Sequence, residues 1–411
     1  MTMSAAATTD GHPDVLDGIG LPTKRDEAWR YAPHRQLAGL TFGPSAGGST
    51  VSAGDLDGRI PELDGPRIVV VNGVVDRELS RFDAAAGAHL SSLADAAGVD
   101  ADVVGRHRGD ARIVDAYSAI NAEYGTDGVV LRVDDGVQLD VPIHVIDVAM
   151  PDSRVDSVNI SNTRVVIEVG VASAATVVET RLGVGAVFGG SSVHTSVDLA
   201  EDARLEHILV QDLPAEQVHL ARVTVRQGAN STLHTRSFNL GAAYGRLAYD
   251  VDLVGAGAVA DLSGLFFGVG EQILDQQITV VHDAQDCTSR QTFRGVLDDA
   301  STGVFNGGID VCPGADGTDA EQANDNLLLS NRAEVNTQPR LEILADEVAC
   351  KHGATVGQLD DTALYYLRSR GINAEEARRL LIDGFADQIV DDVSVEAVRN
   401  WITHRLGHDH D

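Results

Sequence analysis

The sequence predicts a mainly β protein, in which a right-handed parallel β-helix is flanked by an N-terminal and a C-terminal helical part. From about residue 129, β-branched residues alternate with polar residues, and long amphipathic helical patterns are missing for about 200 residues. A loose unit of the form apolar-x-apolar-x-x-x-small recurs through this region. After Gly357 the apolar spacing becomes helical. These observations divide the chain into residues 1–128, 129–357 and 358–411.

The N-terminal part is expected to be helical or mixed. It contains the stretch "GLPTKRDEAWRYAP", in which Thr23 and Asp26 have the spacing of a helix N-terminal cap. Pro33 discourages continuation of a helix, so the stretch predicts one short helix. Residues 43–54, "GPSAGGSTVSAG", are rich in Gly and Ser and predict a flexible connector.

The recurring unit of the middle region favours a solenoid. Its apolar anchors lie about 28 residues apart on average. These anchors are Ile143, Ile167, Val197, Val223, Val251, Ile278, Ile309 and Leu341. Coils that stack in register bury one another's inward faces, and a parallel β-helix is the simplest such fold. The alternative is an antiparallel β-sandwich, which needs tight hairpins; Asp127-Gly128 and Asp135-Gly136 qualify, but later links are longer.

The C-terminal part predicts three helices. Asp360 and Asp361 can cap a helix through "TALYYLRSR", and Gly371 is a suitable stop. Asn373 and Glu376 form a second cap before "AEEARRLLIDGFADQIV". A third helix follows Ser394 and runs through Trp401 to Leu406.

The second of these helices has an apolar stripe that must pack on something. The stripe consists of Ala377, Leu380, Leu381, Gly384 and Phe385. Its spacing is that of one helix face. We expect this face either to cap the solenoid or to bind another protein.

Composition excludes several functions. The chain has 62 Asp and Glu against 31 Lys and Arg, a formal charge of -31, which disfavours nucleic acid and anionic lipid as partners. Its apolar runs are shorter than the roughly 18 residues that span a membrane, and its start lacks the regions of a secretory signal, so a cytoplasmic protein is expected. Lys24 and Lys351 are the only lysines, and neither lies in a Gly-Lys-Ser/Thr context. We therefore expect no ATP to bind this chain.

The three cysteines predict neither a disulfide framework nor a self-contained zinc site, because their number is odd and no CxxC occurs. Cys350 and His352 lie two positions apart, so in a strand they would face the same side roughly 7 Å apart. That separation is too long for the thiolate-imidazole pair of a cysteine protease. Two such ligands could still hold iron if others came from elsewhere. The alternative is that Cys350 is a buried small apolar residue and His352 a hydrogen-bonded rim residue.

The remaining polar residues indicate no active site. His207, His219, His234 and His282 are predicted to be outward or turn residues, and His404, His408 and His410 lie near the C-terminus. A polysaccharide-active β-helix enzyme would use paired carboxylates, but no pair stands out in so acidic a chain. A purely structural solenoid remains a further alternative.

Four stretches resemble the SufB/SufD family of iron-sulfur cluster assembly proteins. They are "GVFNGGIDVCPGADGTDAEQANDNLLLS", "AEVNTQPRLEILADEVACKHGATVGQLDDTALYYLRSRGI", "AEEARRLLIDGFADQIV" and "GLPTKRDEAWRYAP". The last stretch is similar to the N-terminal signature of the SufD branch. The motif "CKHGATVG" also resembles that branch, and the cysteine-bearing segment with a nearby His-Glu pair of SufB-like chains is not found here.

The resemblance implies the same three-part fold and a non-catalytic scaffold role in cluster assembly and iron acquisition. Family members pair with SufB through their β-helices and bind the ATPase SufC through their C-terminal helical domains; a SufD homodimer is a further candidate assembly, which the sequence leaves open. The cluster would be transient and shared with the partner subunit.

The resemblance also implies functional residues. His352 is the expected interfacial cluster ligand, and Cys350 belongs to the same motif with a ligand or a structural role. The expected SufC-docking region contains Leu359, Tyr365, Tyr366, Arg368, Arg370, Leu380 and Phe385.

Overall fold

Two β-sheets run along the length of the molecule and enclose a shared interior, which we call the lumen. The structure is a computed structural model that describes residues 20–44, 51–83, 85–109, 115–151 and 158–408. The strands are β1 (Arg67–Val71), β2 (Val74–Arg81), β3 (Ala88–Ser92), β4 (Gly128–Val133), β5 (Ile143–Ala149), β6 (Ile160–Val169), β7 (Ala174–Gly183), β8 (Gly189–Leu199), β9 (Arg204–Asp212), β10 (Gln217–Gln227), β11 (Thr232–Asn239), β12 (Tyr244–Leu253), β13 (Val259–Gly268), β14 (Ile273–His282), β15 (Thr288–Leu297), β16 (Thr302–Val311), β17 (Asp319–Leu328), β18 (Glu334–Ile343) and β19 (Ala349–Gly357).

The helices lie before, between and after these strands. They are α1 (His34–Leu37), α2 (Ala53–Leu56), α3 (Val99–Gly109), α4 (Ala116–Tyr124), α5 (Asp361–Ser369), α6 (Ala374–Val390) and α7 (Glu396–His408), with 3-10 helices at Glu27–Trp29 and Leu93–Asp95. None of the helices in the described ranges has the length and apolar character needed to cross a bilayer.

The chain forms a parallel β-solenoid of about seven turns, as predicted. The first sheet has the strand order β19-β17-β15-β13-β11-β9-β7-β5-β1-β2, and the second has β18-β16-β14-β12-β10-β8-β6-β4-β3. From β4 onward, consecutive strands alternate between the sheets, so two strands make one coil. Among the described strands only the pairs β1/β2 and β3/β4 are antiparallel. The β-sandwich alternative is therefore wrong.

The strand register corrects the predicted repeat. One inward column of the second sheet contains Leu131, Ile167, Val197, Val225, Val251, Val280, Ile309 and Leu341. Val223 and Ile278 were predicted as anchors of this column, but they lie two residues earlier on the same inward face. Ile143 lies in the first sheet instead. Positions two apart in a strand share a face, so the sequence pattern alone does not distinguish them.

Left-handed residues turn the chain from the second sheet into the first. Ala172, Asp202, Asn230, Gly257 and Asp286 have φ values between 54° and 72° at successive corners. Asn, Asp and Gly adopt this region at little cost, whereas most residues avoid it. The small residues Ser173, Ala203 and Ala229 lie directly beside these corners.

The lumen is mainly apolar but contains a buried charged group. Arg181 Nη2 donates to Glu179 Oε2 at 2.6 Å, and His207 Nε2 lies 2.7 Å from Glu179 Oε1. Burial alone would raise the pKa of Glu179, but the Arg181 guanidinium and the hydrogen bond with His207 hold that pKa well below its ordinary value. Pairing offsets the cost of burying these charges.

Three histidines predicted to face outward lie inside. His207, His219 and His282 are fully buried, whereas the side chain of His234 is about half exposed, at 47%. The prediction was wrong for the buried three because strand alternation points them into the lumen. Each has a polar partner there; His219 Nδ1, for example, lies 2.9 Å from Ser191 Oγ.

The N-terminal part covers the outer face of the second sheet. Trp29 and Tyr117 belong to an apolar cluster that includes residues of β6, β10 and β12. Arg246 lies over the Trp29 ring at 3.9 Å and donates to the Ala28 carbonyl at 2.7 Å. These contacts fasten the N-terminal segment across several coils.

The predicted N-terminal helix differs from the structure. The backbone N–H and hydroxyl of Thr23 donate to Asp26 Oδ2 at 2.7 and 3.0 Å, and Asp26 is the N-cap of the 3-10 helix. The second piece, α1, begins directly after Pro33. Helix α2 starts inside the predicted connector, where Ser52 and Asp55 form a capping box; residues 45–50 of that connector lie outside the described ranges.

The three C-terminal helices form where the sequence predicts them. Asp360 caps α5 by accepting from the Thr362 N–H at 2.8 Å, and Asn373 caps α6 by accepting from the Glu376 N–H at 2.8 Å. Gly371 separates them with φ 93°. Of the terminal histidines, His404 lies in α7, whereas His410 is outside the described residues.

Helices α6 and α7 pack along the outer face of the first sheet. The buried side of α6 consists of Ala377, Ile382, Ala386, Ile389 and Val390. Its cluster includes apolar residues of β7, β9, β11, β13, β15 and β17. The predicted apolar stripe agrees with the packed face only in part: Ala377 is buried and Phe385 half-buried, whereas Leu380 is 43% exposed and Gly384 is exposed. Helix α6 covers a sheet face rather than capping the solenoid.

The Ile382→Ala variant should destabilise the protein by about 2–5 kcal/mol, because it leaves a cavity between α6 and the first sheet. The matched control is Leu380→Ala on the same helix, which should change the stability by no more than about 0.5 kcal/mol. Urea unfolding followed by circular dichroism measures both. Equal midpoints for the two variants would contradict the packing of α6.

Candidate functional site

Within the part of the chain that the structure describes, the last coil of the solenoid has a neighbouring coil on one side only. We call β18 and β19 the open end, because each strand pairs with only one other strand among the described residues. Most residues of β19 are exposed, and so are the apolar residues Ile343, Leu344 and Val356. In the preceding coils the inward residues are almost completely buried. An exposed strand edge with apolar residues is unusual unless a partner covers it.

Cys350 and His352 lie on β19 at this open end. They pair in register with Ala320 and Gln322 of β17, which are buried in the lumen. Both side chains therefore belong to the lumen-facing side of the strand, as alternation requires.

The environments of the two side chains differ. Cys350 packs against an apolar cluster that includes Ile309 and Ala320. Burial raises the pKa of the Cys350 thiol, and the nearby carboxylate of Asp319 acts in the same direction. His352 is exposed, and its imidazole has no hydrogen-bond partner among the described residues.

Polar side chains line the lumen directly behind His352. Gln322 Nε2 donates to Gln291 Oε1 at 2.6 Å, and Asn326 Nδ2 donates to Asn324 Oδ1 at 2.7 Å. All four amides are buried. Sequence reasoning missed them, although the alternation in "AEQANDN" puts Gln322, Asn324 and Asn326 on one face of a strand. The lumen near the open end thus has a row of buried amides beside the apolar cluster that Cys350 contacts.

Lys351 lies on the other side of β19. Its Nζ is 2.9 Å from Glu321 Oε1, and Glu321 is in turn 3.8 Å from Arg290 Nε. These exposed pairs contribute little stability individually. They place the positive charge of Lys351 on the outer surface, away from His352.

The open end alone does not contain a complete metal site. No group of three or more His, Cys, Asp or Glu residues in the described ranges could hold a metal ion. Cys350 and His352 supply at most two ligands, whereas iron-sulfur clusters are generally held by about four.

The residues predicted to dock SufC divide into two groups. Tyr365 and Tyr366 are 76% and 56% exposed on α5, a helix without a buried residue. Arg368, Arg370 and Leu380 are also exposed, and the Arg370 guanidinium lies 5.1 Å from the Tyr366 ring. Leu359 and Phe385 are instead half-buried against the cluster beneath α6; Arg294 lies over the Phe385 ring at 4.5 Å. The first group is accessible to a partner.

Comparison with known proteins matches the chain to one family and to several proteins of that family. The family described as "SUF system FeS cluster assembly, SufBD core domain" matches residues 152–385, and "SufBD protein N-terminal region" matches residues 12–145. The iron-sulfur cluster assembly protein SufD of Escherichia coli strain K12 is 29% identical over 396 residues, which cover 96% of this chain and 91% of that protein. An iron-sulfur cluster assembly SufBD family protein of Mycobacterium leprae is 30% identical over 409 residues, covering 96% and 92%. SufD of Bacillus subtilis is 35% identical over 151 residues, covering 37% and 35%.

The cysteines should react slowly with thiol reagents in the isolated protein. Burial raises the pKa of Cys287, Cys312 and Cys350, so each carries less thiolate at neutral pH than a free cysteine does. Alkylation with iodoacetamide at about pH 7.5, followed by peptide mass spectrometry, measures each rate against glutathione. Cys287, which is fully buried, should be the slowest. Alkylation of Cys350 faster than that of glutathione would contradict the packed position described for it.

Proposed function

Because the chain belongs to the SufBD family of iron-sulfur cluster assembly proteins, we propose that it is a non-catalytic scaffold subunit of a SUF assembly complex. In this proposal a SufB subunit pairs with its open end, and the ATPase SufC binds its C-terminal helices. The complex would support cluster assembly and iron acquisition in the cytoplasm. A polysaccharide-active enzyme is not retained, because the matched family is one of cluster assembly.

The uncovered last coil is the observation that carries this proposal. Both sheets end there, at β18 and β19, and the lumen between them is open. One extended peptide could pair with only one of these two edges. A second β-solenoid could add a strand to each edge and cover the lumen at the same time. A SufB subunit is the proposed occupant, and a second copy of this chain is the alternative that the experiments below distinguish.

The iron-sulfur cluster is cargo in this proposal, and the two chains share its ligands. His352 offers an exposed imidazole on the lumen-facing side of the last strand. Cys350 is two positions away but is packed against apolar residues, which favours a structural role over a ligand role. The partner would supply the remaining ligands.

The proposed SufC site is the exposed surface formed by α5 and the adjoining part of α6. Only residues 358–360 separate β19 from α5. A force on α5 would therefore act directly on the strand that carries His352. ATP hydrolysis would belong to SufC, since neither lysine of this chain lies in a phosphate-binding loop. The three-part division at residues 128 and 357 also remains a proposal.

Replacement of His352 by Ala should reduce iron-sulfur absorption of the reconstituted complex at least about tenfold, because the cluster loses a ligand. The test is anaerobic co-expression with candidate SufB and SufC subunits, reconstitution and visible spectroscopy. Lys351→Ala is the matched control, since Lys351 lies beside His352 on the outer side of the same strand. Size-exclusion chromatography shows whether the complex forms and whether the chain instead elutes as a homodimer. Unchanged absorption in the His352→Ala complex would contradict the ligand role.

The double variant Tyr365→Ala, Tyr366→Ala should weaken SufC binding. Truncation of an interface aromatic residue commonly costs about 2 kcal/mol, so we expect Kd to rise at least about 30-fold. Isothermal titration calorimetry with purified SufC measures this change. Val171→Ser is the control, because Val171 is an exposed apolar residue in the turn between β6 and β7. Equal affinity of the double variant and the wild type would exclude the exposed face of α5 as the binding site.

A further inference from the structure

A directed chain of hydrogen bonds runs through the lumen toward His352. Gln291 Nε2 donates to the Gly308 carbonyl at 3.2 Å, and Gln322 Nε2 donates to Gln291 Oε1 at 2.6 Å. Gln291 and Gln322 are 0% and 1% exposed. Gln322 Oε1 is the end of this chain, and it is buried without a hydrogen-bond partner. A buried acceptor without a donor is costly, so a donor is expected there.

The direction of this chain follows from its first acceptor. The Gly308 carbonyl can only accept, so the side chain of Gln291 must present its NH₂ group to it. Gln291 then presents its oxygen to Gln322, which must donate in turn. The oxygen of Gln322 is consequently left as the free acceptor, and neither amide can be reversed without placing two like groups together.

His352 is the residue of β19 that is paired with Gln322 and carries a side chain on the same face. Gln322 and His352 are paired in register on β17 and β19, and neighbouring strands lie about 4.8 Å apart. The other lumen-facing residues of β19 that pair with amides are Ala354 and Val356, opposite Asn324 and Asn326, and neither side chain has a donor. His352 alone among them carries an N–H.

Packing around Gln322 also supports a dedicated position for its amide. A Cβ atom on Gly307 would lie 2.0 Å from Gln322 Nε2. A side chain at residue 307 would therefore require the Gln322 amide to shift from the orientation it adopts. The second sheet thus contributes to holding the acceptor.

We propose that Gln322 is a positioning residue for His352: when the imidazole turns toward the lumen, Gln322 Oε1 accepts a hydrogen bond from one ring N–H and selects one tautomer. The other ring nitrogen then presents its lone pair at the open end, where the proposed function requires a ligand. Histidine ligands generally donate their second N–H to an acceptor in this way, which fixes the tautomer and the ring orientation. The inference deepens the proposed function and rests on it for its biological purpose. Among the residues that the structure describes, neither Gln322 Oε1 nor the His352 imidazole has a hydrogen-bond partner, so the proposed bond forms when the exposed ring turns toward the lumen, and it needs no partner chain.

The test measures the tautomer of His352 without any cluster or partner. The full chain is labelled with ¹⁵N-histidine, and long-range ¹H–¹⁵N correlation spectra are recorded near pH 8.5, about two units above the ordinary pKa of histidine. The His352→Ala spectrum assigns the signal among the 14 histidines. We expect one protonated and one bare nitrogen shift in the wild type. In Gln322→Leu the two shifts should move toward each other as the tautomers mix, and in Gln322→Glu, which retains an acceptor, the single tautomer should remain.

The matched control is Asn324→Leu. It removes a buried amide from the same face of β17, but its neighbour on β19 is Ala354, so the His352 shifts should stay as in the wild type. Averaged shifts in the wild type would overturn the inference, and so would shifts that Gln322→Leu leaves unchanged. Averaged shifts in the wild type overturn the inference even if Gln322→Leu fails to fold. Cluster formation that does not require His352 would contradict the proposed function and leave the tautomer result standing, so the two failures are distinguishable.

Discussion

The structure depends on one constraint: each coil of the parallel solenoid is completed by the next coil. A strand such as β12 obtains its backbone hydrogen bonds from β10 and β14, and its inward side chains are buried by those of the neighbouring coils. This arrangement repeats without difficulty in the middle of the molecule. It fails at the final coil, where β18 and β19 have partners on one side only in the part of the chain that the structure describes. The open end is therefore a direct consequence of the fold, and a second solenoid chain is the kind of partner that can complete it.

The same constraint explains the polar lumen behind His352. A continuous apolar lumen would expose a large hydrophobic cross-section at an end that must be wetted before a partner binds. Gln291, Gln322, Asn324 and Asn326 instead satisfy most of their hydrogen bonds with one another and with backbone carbonyls. Two acceptors remain, Gln322 Oε1 and Asn326 Oδ1, and Gln322 is the residue paired in register with the single imidazole of the last strand. Such a network does more than stabilise the coil. The direction of its hydrogen bonds determines that Gln322 presents an acceptor, and not a donor, to His352.

The outer faces of the two sheets are covered by the terminal parts of the chain. The N-terminal segment crosses the second sheet, where Trp29 packs beneath Arg246. Helices α6 and α7 cover the first sheet, and Arg405 makes two 2.8 Å contacts with Asp212 of β9. Helix α5 is the exception, since none of its residues is buried. The open end and α5 are adjacent along the chain, so partners bound at these two surfaces would be mechanically connected through β19.

The sequence by itself determined the fold class, the three C-terminal helices and the family, because alternation, capping residues and long motifs are local patterns. It also placed Cys350 and His352 on one face of a strand, since alternation does not depend on the rest of the fold. It did not determine which of two positions in a strand lies in a given column, as Val223 and Ile278 show, nor that His207, His219 and His282 point inward. The tertiary structure alone decided that α6 packs through Ile382 rather than Leu381, and that Gln322 lies beside His352. Register, helix rotation and lumen contacts join residues about 30 positions apart through packing, and sequence periodicity contains no information about which neighbour each side chain meets.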